Sequence, residues 1–220
     1  MKYKLNCLFT VAILFILLSS ASSARIKDVP VGKFSKKSLS GWQEKKFAGE
    51  TQYSFVDDLR KGWVIRAISD GSASGLFKEI SVDITETPFL NWSWKVDEKP
   101  VVKDEKTKDG DDYAARVYVI FRGSFWFWKT KTLNYVWNSS YPPGESWPNA
   151  FAANARMIAL QSRKTSHGVW VAEKRNIQKD IIECFGIELT TIDAIAIMTD
   201  TDNSDSRAVA YYGDIFFTSE

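Results

Sequence analysis

The feature that most constrains the fold is a set of short apolar segments that alternate every second residue. Leu90, Trp92, Trp94 and Val96 alternate with Asn91, Ser93 and Lys95. Successive side chains of an extended chain point to opposite faces, so this pattern makes one buried and one polar face. Ile80, Val82 and Ile84 alternate with Ser81 and Asp83 in the same way. Residues 114–121 and 192–198 are apolar on both parities and rich in β-formers, which predicts central strands. Residues 42–47, 53–56 and 63–68 are weaker strand segments, and 209–217 reads as a final strand rich in aromatics. Lys61-Gly62, Asp70-Gly71, Pro142-Pro143-Gly144 and Asn203-Ser204-Asp205 supply turn chemistry between them. Short strands punctuated this way predict an all-β chain, an antiparallel β-sandwich or jelly roll.

One short helix is predicted near 176–185. Ile177, Ile181, Cys184 and Phe185 share helical spacing, Asn176 can cap the start and Gly186 can end it. Cys184 is accordingly read as a packing residue. The other cysteine, Cys7, lies in an N-terminal segment with the order of a secretory signal. Lys2 and Lys4 precede an apolar run over 8–18, and small residues follow up to Ala24. That run is short of the roughly 20 residues that span a bilayer. The expectation is a signal peptide over 1–24, cleaved after Ala24, and one β-sandwich domain over 25–220. The mature chain would be periplasmic or secreted, with no integral membrane segment. It would hold a single cysteine and no intrachain disulfide.

Charge narrows the partners. The full chain carries 29 Lys+Arg against 27 Asp+Glu. Removing Lys2 and Lys4 makes the two counts equal. Nucleic acid is a poor partner for a neutral chain, because binding it needs a positive surplus. The balance is locally uneven. Residues 95–112 are dense in charge and lean acidic, which predicts a solvated excursion between strands. The 122–153 stretch is long for a turn and carries Phe125, Trp126, Phe127, Trp128, Tyr135, Trp137, Tyr141, Trp147 and Phe151. Long connections in compact domains are often functional.

Three constellations could carry chemistry. Asp109, Asp111 and Asp112 precede one central strand, and Asp200, Asp202, Asn203 and Asp205 follow another. Alternate acids in a turn can converge on a hard cation, so calcium at Asp200, Asp202 and Asn203 is one reading and solvated turn formers the other. The Asp200 loop does not meet the EF-hand template, since Asp205 stands where glycine is required. The second constellation is aromatic. Nine tryptophans invite comparison with sugar sites, where flat rings stack on pyranose faces. Trp92 and Trp94 share the core parity, which leaves Trp126, Trp128, Trp137 and Trp147 as the platform candidates. The third is Arg116, an arginine inside an apolar strand that must reach a carboxylate or a ligand, with Asp214 similarly set among aromatics. Catalytic signatures are thin. The single histidine, His167, rules out a His-rich zinc site, and no Gly-x-Ser-x-Gly elbow accompanies it. Paired carboxylates for glycoside chemistry remain open, because such pairs are defined in space.

Several strings together resemble a known family. They are Leu90-Asn-Trp-Ser-Trp-Lys-Val-Asp97, Gly110-Asp-Asp-Tyr-Ala-Ala-Arg-Val-Tyr-Val119, Leu133-Asn-Tyr-Val-Trp137, Ala194-Ile-Ala-Ile-Met-Thr-Asp-Thr-Asp-Asn203 and Ala210-Tyr-Tyr-Gly-Asp-Ile215. They resemble a family of exported bacterial proteins catalogued as a domain of unknown function, over roughly 41–217. The resemblance implies export and brings no established activity. It matches at Asp111, Asp112, Arg116, Trp137, Asp200, Asp202, Asn203 and Asp214. The final strand is also similar to that of galactose-binding-like jelly rolls, which implies carbohydrate binding and a structural calcium. Three functions follow as expectations. The first is a non-catalytic module binding a saccharide or another polar envelope ligand through Asp111, Asp112, Arg116, Trp137, Tyr212 and Asp214. The second is a polysaccharide hydrolase or lyase with paired carboxylates. The third is a structural or interaction protein that docks an unidentified protein partner through the aromatic connection.

Overall fold

The computed structural model describes residues 27–122, 130–162, 164, 165 and 167–220. The expectations for 1–24 and for the Phe125, Trp126, Phe127 and Trp128 run lie outside those residues. In chain order the strands are β1 (Asp28–Gly32), β2 (Trp42–Ala48), β3 (Gln52–Asp58), β4 (Gly62–Asp70) and β5 (Ala73–Asp83). Then come β6 (Phe89–Glu98), β7 (Ala115–Phe121), β8 (Lys131–Trp137), β9 (Ser146–Pro148) and β10 (Ala155–Gln161). After β11 (Val171–Asn176) the helix α1 (Ile177–Phe185) precedes β12 (Thr191–Asp200), β13 (Arg207–Tyr212) and β14 (Ile215–Thr218).

The strands form two sheets. One runs β1-β14-β6-β13-β4-β3, with β11 also paired to β6, and the other runs β2-β5-β12-β7-β8-β10-β9. Pairing is antiparallel except between β8 and β10, which lie parallel. The fold is an antiparallel β-sandwich. Its shared core takes Leu90, Trp94, Tyr212 and Phe217 from the first sheet and Val117, Leu133, Tyr135 and Ile195 from the second. Aromatic pairs join the two layers: Trp92 lies 5.3 Å from Tyr135 and Trp94 lies 5.8 Å from Trp137, centroid to centroid. Each such ring withdrawn from water contributes about 1.5–3 kcal/mol or more. Among the described residues no helix is long and apolar enough to cross a membrane.

The helix forms where the caps place it. The Asn176 side chain accepts a 3.0 Å bond from the Lys179 N–H, and Gly186 ends the helix in the left-handed region at φ 66°. Ile177 and Ile181 enter the core, while Cys184 is half-buried against it. Asp180 is buried too, because Tyr135 donates to it at 2.5 Å and Arg175 grips both of its oxygens.

Three expectations are corrected. The final segment 209–217 is two strands, not one. β13 and β14 lie along the same edge of β6 and are broken at Gly213-Asp214. A Cβ at Gly213 would stand 2.4 Å from Ser93 Oγ, so a larger residue closes onto β6 there only if the Ser93 hydroxyl turns away. The long aromatic connection is also not a loop throughout, since β8 and β9 lie inside it. Finally, the charged excursion is solvated only in part. It opens as the end of β6 and closes by turning inward, where Glu105, Asp111 and Asp112 are buried. Gly110 makes that turn possible: a Cβ there would lie 2.1 Å from the Asp104 carbonyl oxygen.

Candidate functional site

The outer face of the second sheet carries a cleft of about 480 Å³. Register explains it. Phe77, Ala196, Tyr118 and Asn134 are successive partners across β5, β12, β7 and β8, and all four line the cleft. The next row is Lys45, Gly75, Met198 and Arg116. Their chain neighbours Leu76, Val117 and Ile197 face the core, so these rows face away from it. Gly75 and Ala196 make a low floor, with Phe77 and Tyr118 standing two strand spacings apart, about 9.5 Å, on either side of Ala196. Phe47 and Phe151 add exposed rings at the rim. The Tyr118 hydroxyl donates to Met198 Sδ at 3.3 Å, and burial pushes its pKa up, so it stays a neutral hydroxyl.

One wall of the cleft is the connection between β9 and β10, through Asn149, Phe151 and Ala152, beside the strands β8, β9 and β10. Tyr113, Val136, Trp147, Met157 and Ala159 form a second small apolar cluster there, with Tyr141 packed 5.0 Å from Trp147. Asn149 leaves this wall and donates to both Asp111 oxygens at 3.1 Å.

The polar end of the cleft is a charge cluster. Arg116 Nε donates to Asp200 Oδ1 at 2.8 Å and Nη2 to Asp200 Oδ2, while Nη2 also meets the Asp111 carbonyl. Asp111 Oδ2 lies 3.5 Å from Nη1. The guanidinium stacks 4.3 Å from the Tyr113 ring centroid. Behind it, the Tyr212 hydroxyl accepts from the Arg116 N–H, donates to the Met198 carbonyl and meets Thr199 Oγ1. Asp112 caps the turn after β12, accepting from the N–H groups of Asn203 and Ser204 and from the Asn203 amide. Burial lifts the Asp200 carboxyl from an ordinary 3.8 to about 8, with Arg116 pulling it down and Asp111 and Asp112 pushing it up. Burial, and then Asp112, also raise Asp202. Burial opposes the Arg116 charge, yet Asp200 above all keeps it protonated.

The two acidic turns therefore meet, and Arg116 joins them. Asp112, Asp200 and Asp202 each place an oxygen within 4.8 Å of the others. The donor set is a poor cradle for calcium as it stands. Asp112 and Asp200 already accept N–H bonds on both oxygens, and calcium asks for six to eight oxygens. Trp137 and Tyr212 are corrected: both are buried in the core, at 1% and 0% exposure, and offer no face to a ligand. Trp137 fills the space between the sheets because it shares the inward parity of Leu133 and Tyr135. Trp147 is likewise buried in the wall cluster. Asp214 is not part of this cleft. It sits at the β13–β14 break and accepts from Ser35 N and Oγ at 2.7 and 2.6 Å, beside a separate depression on the first sheet lined by Trp63 and Phe216.

Sequence reasoning missed Phe47, Phe77, Tyr118, Asn134 and Asn149, and named Phe151 only as one aromatic of the long connection. The signal was present in 114–121 and 192–198, whose second parity is apolar. That parity lines an open cleft with small and aromatic side chains, rather than a covered face.

The comparisons agree with the fold. The model of DUF3047, described as a protein of unknown function, matches residues 40–216. No curated protein matches the chain. A family 30 carbohydrate-binding module of a cellulosomal cellulase from Clostridium thermocellum is similar, with 10% identity and a TM-score of 0.52 over 88% of this chain and 98% of that one. A family 11 module from the same organism, in complex with a mixed-linked tetrasaccharide, has 10% identity and a TM-score of 0.46 over 86% and 94%. The xyloglucanase domain of an effector from Sinorhizobium fredii has 12% identity and a TM-score of 0.44 over 83% and 96%. At such identities the likeness concerns the fold alone.

Proposed function

Because the chain belongs to the DUF3047 family, whose function is not defined, its role must be read from its own surface, and we propose that it is an exported, non-catalytic saccharide-binding module. The ligand lies in the cleft of the second sheet. The observation that carries this is the row Phe77-Ala196-Tyr118-Asn134: two aromatic side chains flank a low floor and an amide closes the row. A pyranose has apolar C–H faces and an equatorial belt of hydroxyls. Rings and a low floor suit the former, and the Asn134, Asn149 and aspartate end suits the latter. The similarity of fold to carbohydrate-binding modules raises the prior without fixing the ligand.

Binding is favoured over hydrolysis by where the acids stand. Among the described residues that line the cleft, the carboxylates are Asp111, Asp200 and Asp202, all from the one cluster at its polar end. Glycoside hydrolysis needs two carboxyl groups facing each other across the bond, about 5–10 Å apart. The localisation that goes with this proposal is periplasmic or secreted, from the 1–24 signal order. Calorimetric titration against neutral and charged oligosaccharides tests the site. Saturable binding that falls at least about tenfold in Tyr118→Ala and in Phe77→Ala, with unfolding midpoints kept, is the expected result. Silence across the panel would overturn it.

A further inference from the structure

The depression beside Asp214 lies on the outer face of the first sheet and has a volume of about 390 Å³. We propose that it is a second ligand site, for a neutral saccharide, so that one chain holds two glycan strands on opposite faces of the sandwich. It shares the class of ligand with the cleft of the second sheet and none of its lining residues.

Strand pairing builds the depression at the β13–β14 break. Trp92 and Trp94 enter the core, so Asn91 and Ser93 of β6 face away from it. Ala172 of β11 lies across from Ser93 on one side, and on the other the Gly213 N–H donates to the Ser93 carbonyl at 2.8 Å. Ala172, Ser93 and Gly213 are small, so this row is a low floor. In the next row Asn91 stands between Lys174 of β11 and Phe216 of β14. The Phe216 ring rises beside the floor, because its neighbours Ile215 and Phe217 fill the core. Trp63 of β4 adds a second ring, with Lys37 Nζ 3.2 Å from its centroid. The volume falls within the range of small-ligand sites, about 300–1,000 Å³.

A buried polar group without a partner points into this space. Ser93 is 8% exposed, and its hydroxyl makes no hydrogen bond among the described residues. The Oγ stands over the Gly213 backbone, 2.4 Å from where a Cβ would be. Such a hydroxyl ordinarily finds a partner, and a sugar hydroxyl can both donate to it and accept from it. Asn91 adds an acceptor. Its Nδ2 already donates to the Phe89 carbonyl and to Thr218 Oγ1, which leaves Oδ1 for a ligand.

Charge decides the class. Lys61 and Lys174 line the depression against Glu173 and Asp214. Beside it, Lys37 and Asp57, the cross-strand partner of Trp63, add one charge of each sign. The two signs balance, so the local field favours neither an anion nor a cation. Both lining carboxylates are also engaged, Asp214 by Ser35 and Glu173 by Trp94 and Gln161. What remains is a ring beside a low floor, with a hydroxyl and an amide oxygen next to it. A neutral pyranose complements that set, its C–H face on Phe216 and its hydroxyls at Ser93 and Asn91.

The test separates the two faces by calorimetry on the folded protein. Hexasaccharides of β-1,4-linked glucose, mannose and N-acetylglucosamine are the neutral probes, and those of galacturonate and glucosamine the charged ones. Wild type should bind two molecules of its best neutral probe per chain. Tyr118→Ala, which disables the cleft of the second sheet, should leave one. In that background Ser93→Ala should weaken the remaining site several-fold and Phe216→Ala at least about tenfold, with unfolding midpoints kept. The Ser93 hydroxyl makes no bond inside the protein, so its removal unpairs nothing, and this variant carries the test if Phe216→Ala does not fold. One site per wild-type chain, lost in Tyr118→Ala, overturns the second site and leaves the cleft standing. One site kept in Tyr118→Ala and weakened by Ser93→Ala overturns the cleft and supports the depression. A remaining site untouched by both first-sheet variants overturns the proposal. Tighter binding of galacturonate or glucosamine in Tyr118→Ala overturns the neutral class. No binding of any probe overturns both sites.

Discussion

Replacing Arg116 by methionine keeps much of the side-chain volume and removes the charge that holds the two acidic turns together. In the folded chain Arg116 makes a two-point contact with Asp200 and a further ion pair with Asp111, all at a few per cent exposure. Removing one partner of a buried pair leaves the other uncompensated, which costs about 3–5 kcal/mol. Protonation adds a pH signature. Asp200 rises from an ordinary 3.8 to about 8 on folding, so the folded state takes up a proton there. That contribution to stability is complete below 3.8 and is lost as pH climbs through about 8, at a slope of up to about 1.4 kcal/mol per unit. Arg116 pulls against this rise, so its loss moves Asp200 higher still and makes the substitution more damaging at pH 9 than at pH 5. Urea unfolding of wild type and Arg116→Met at both pH values measures the difference, read from the midpoint at constant m. Arg116→Met combined with Asp200→Asn should be less destabilised than the sum of the two single variants by about 1 kcal/mol or more. A cost below about 1 kcal/mol at pH 9, or one that is equal at both pH values, would show that Arg116 does not offset the Asp200 charge.

Four further outcomes are expected. Ala196→Leu raises the cleft floor between Phe77 and Tyr118, and should weaken saccharide binding at least about tenfold in calorimetry while shifting stability by less than about 1 kcal/mol. Asn176→Ala removes the cap bond to Lys179 and should cost about 1 kcal/mol in the same unfolding assay. Burial pushes the Cys184 thiol up, so its alkylation at neutral pH should run slower than that of free cysteine, and Cys184→Ser should keep ligand binding. Calcium at millimolar concentration should leave the thermal midpoint unmoved, because the N–H bonds to Asp112 and Asp200 are already made; a clear upward shift would show that the cluster rearranges around the ion.

The architecture and one half of the site are legible in local sequence signals. Period-two segments such as Leu90–Val96 can only be half-buried strands, and the Asn176 and Gly186 caps place the helix almost to the residue, because both signals are local. Arg116 in an apolar strand demanded a carboxylate, and the two acidic turns were the visible suppliers. Tertiary structure decided the rest. Trp137 and Tyr212 looked available for a ligand, but parity alone does not say which face of a strand is inward when both parities are apolar. Asp214 was grouped with Arg116, yet at the Gly213 break of the first sheet it is held by Ser35 in the turn between β1 and β2. The cleft itself was invisible, because Phe77, Ala196, Tyr118 and Asn134 come from four strands scattered along the chain. Only pairing across β5, β12, β7 and β8 sets them in one row, and register is a long-range property that no single segment carries.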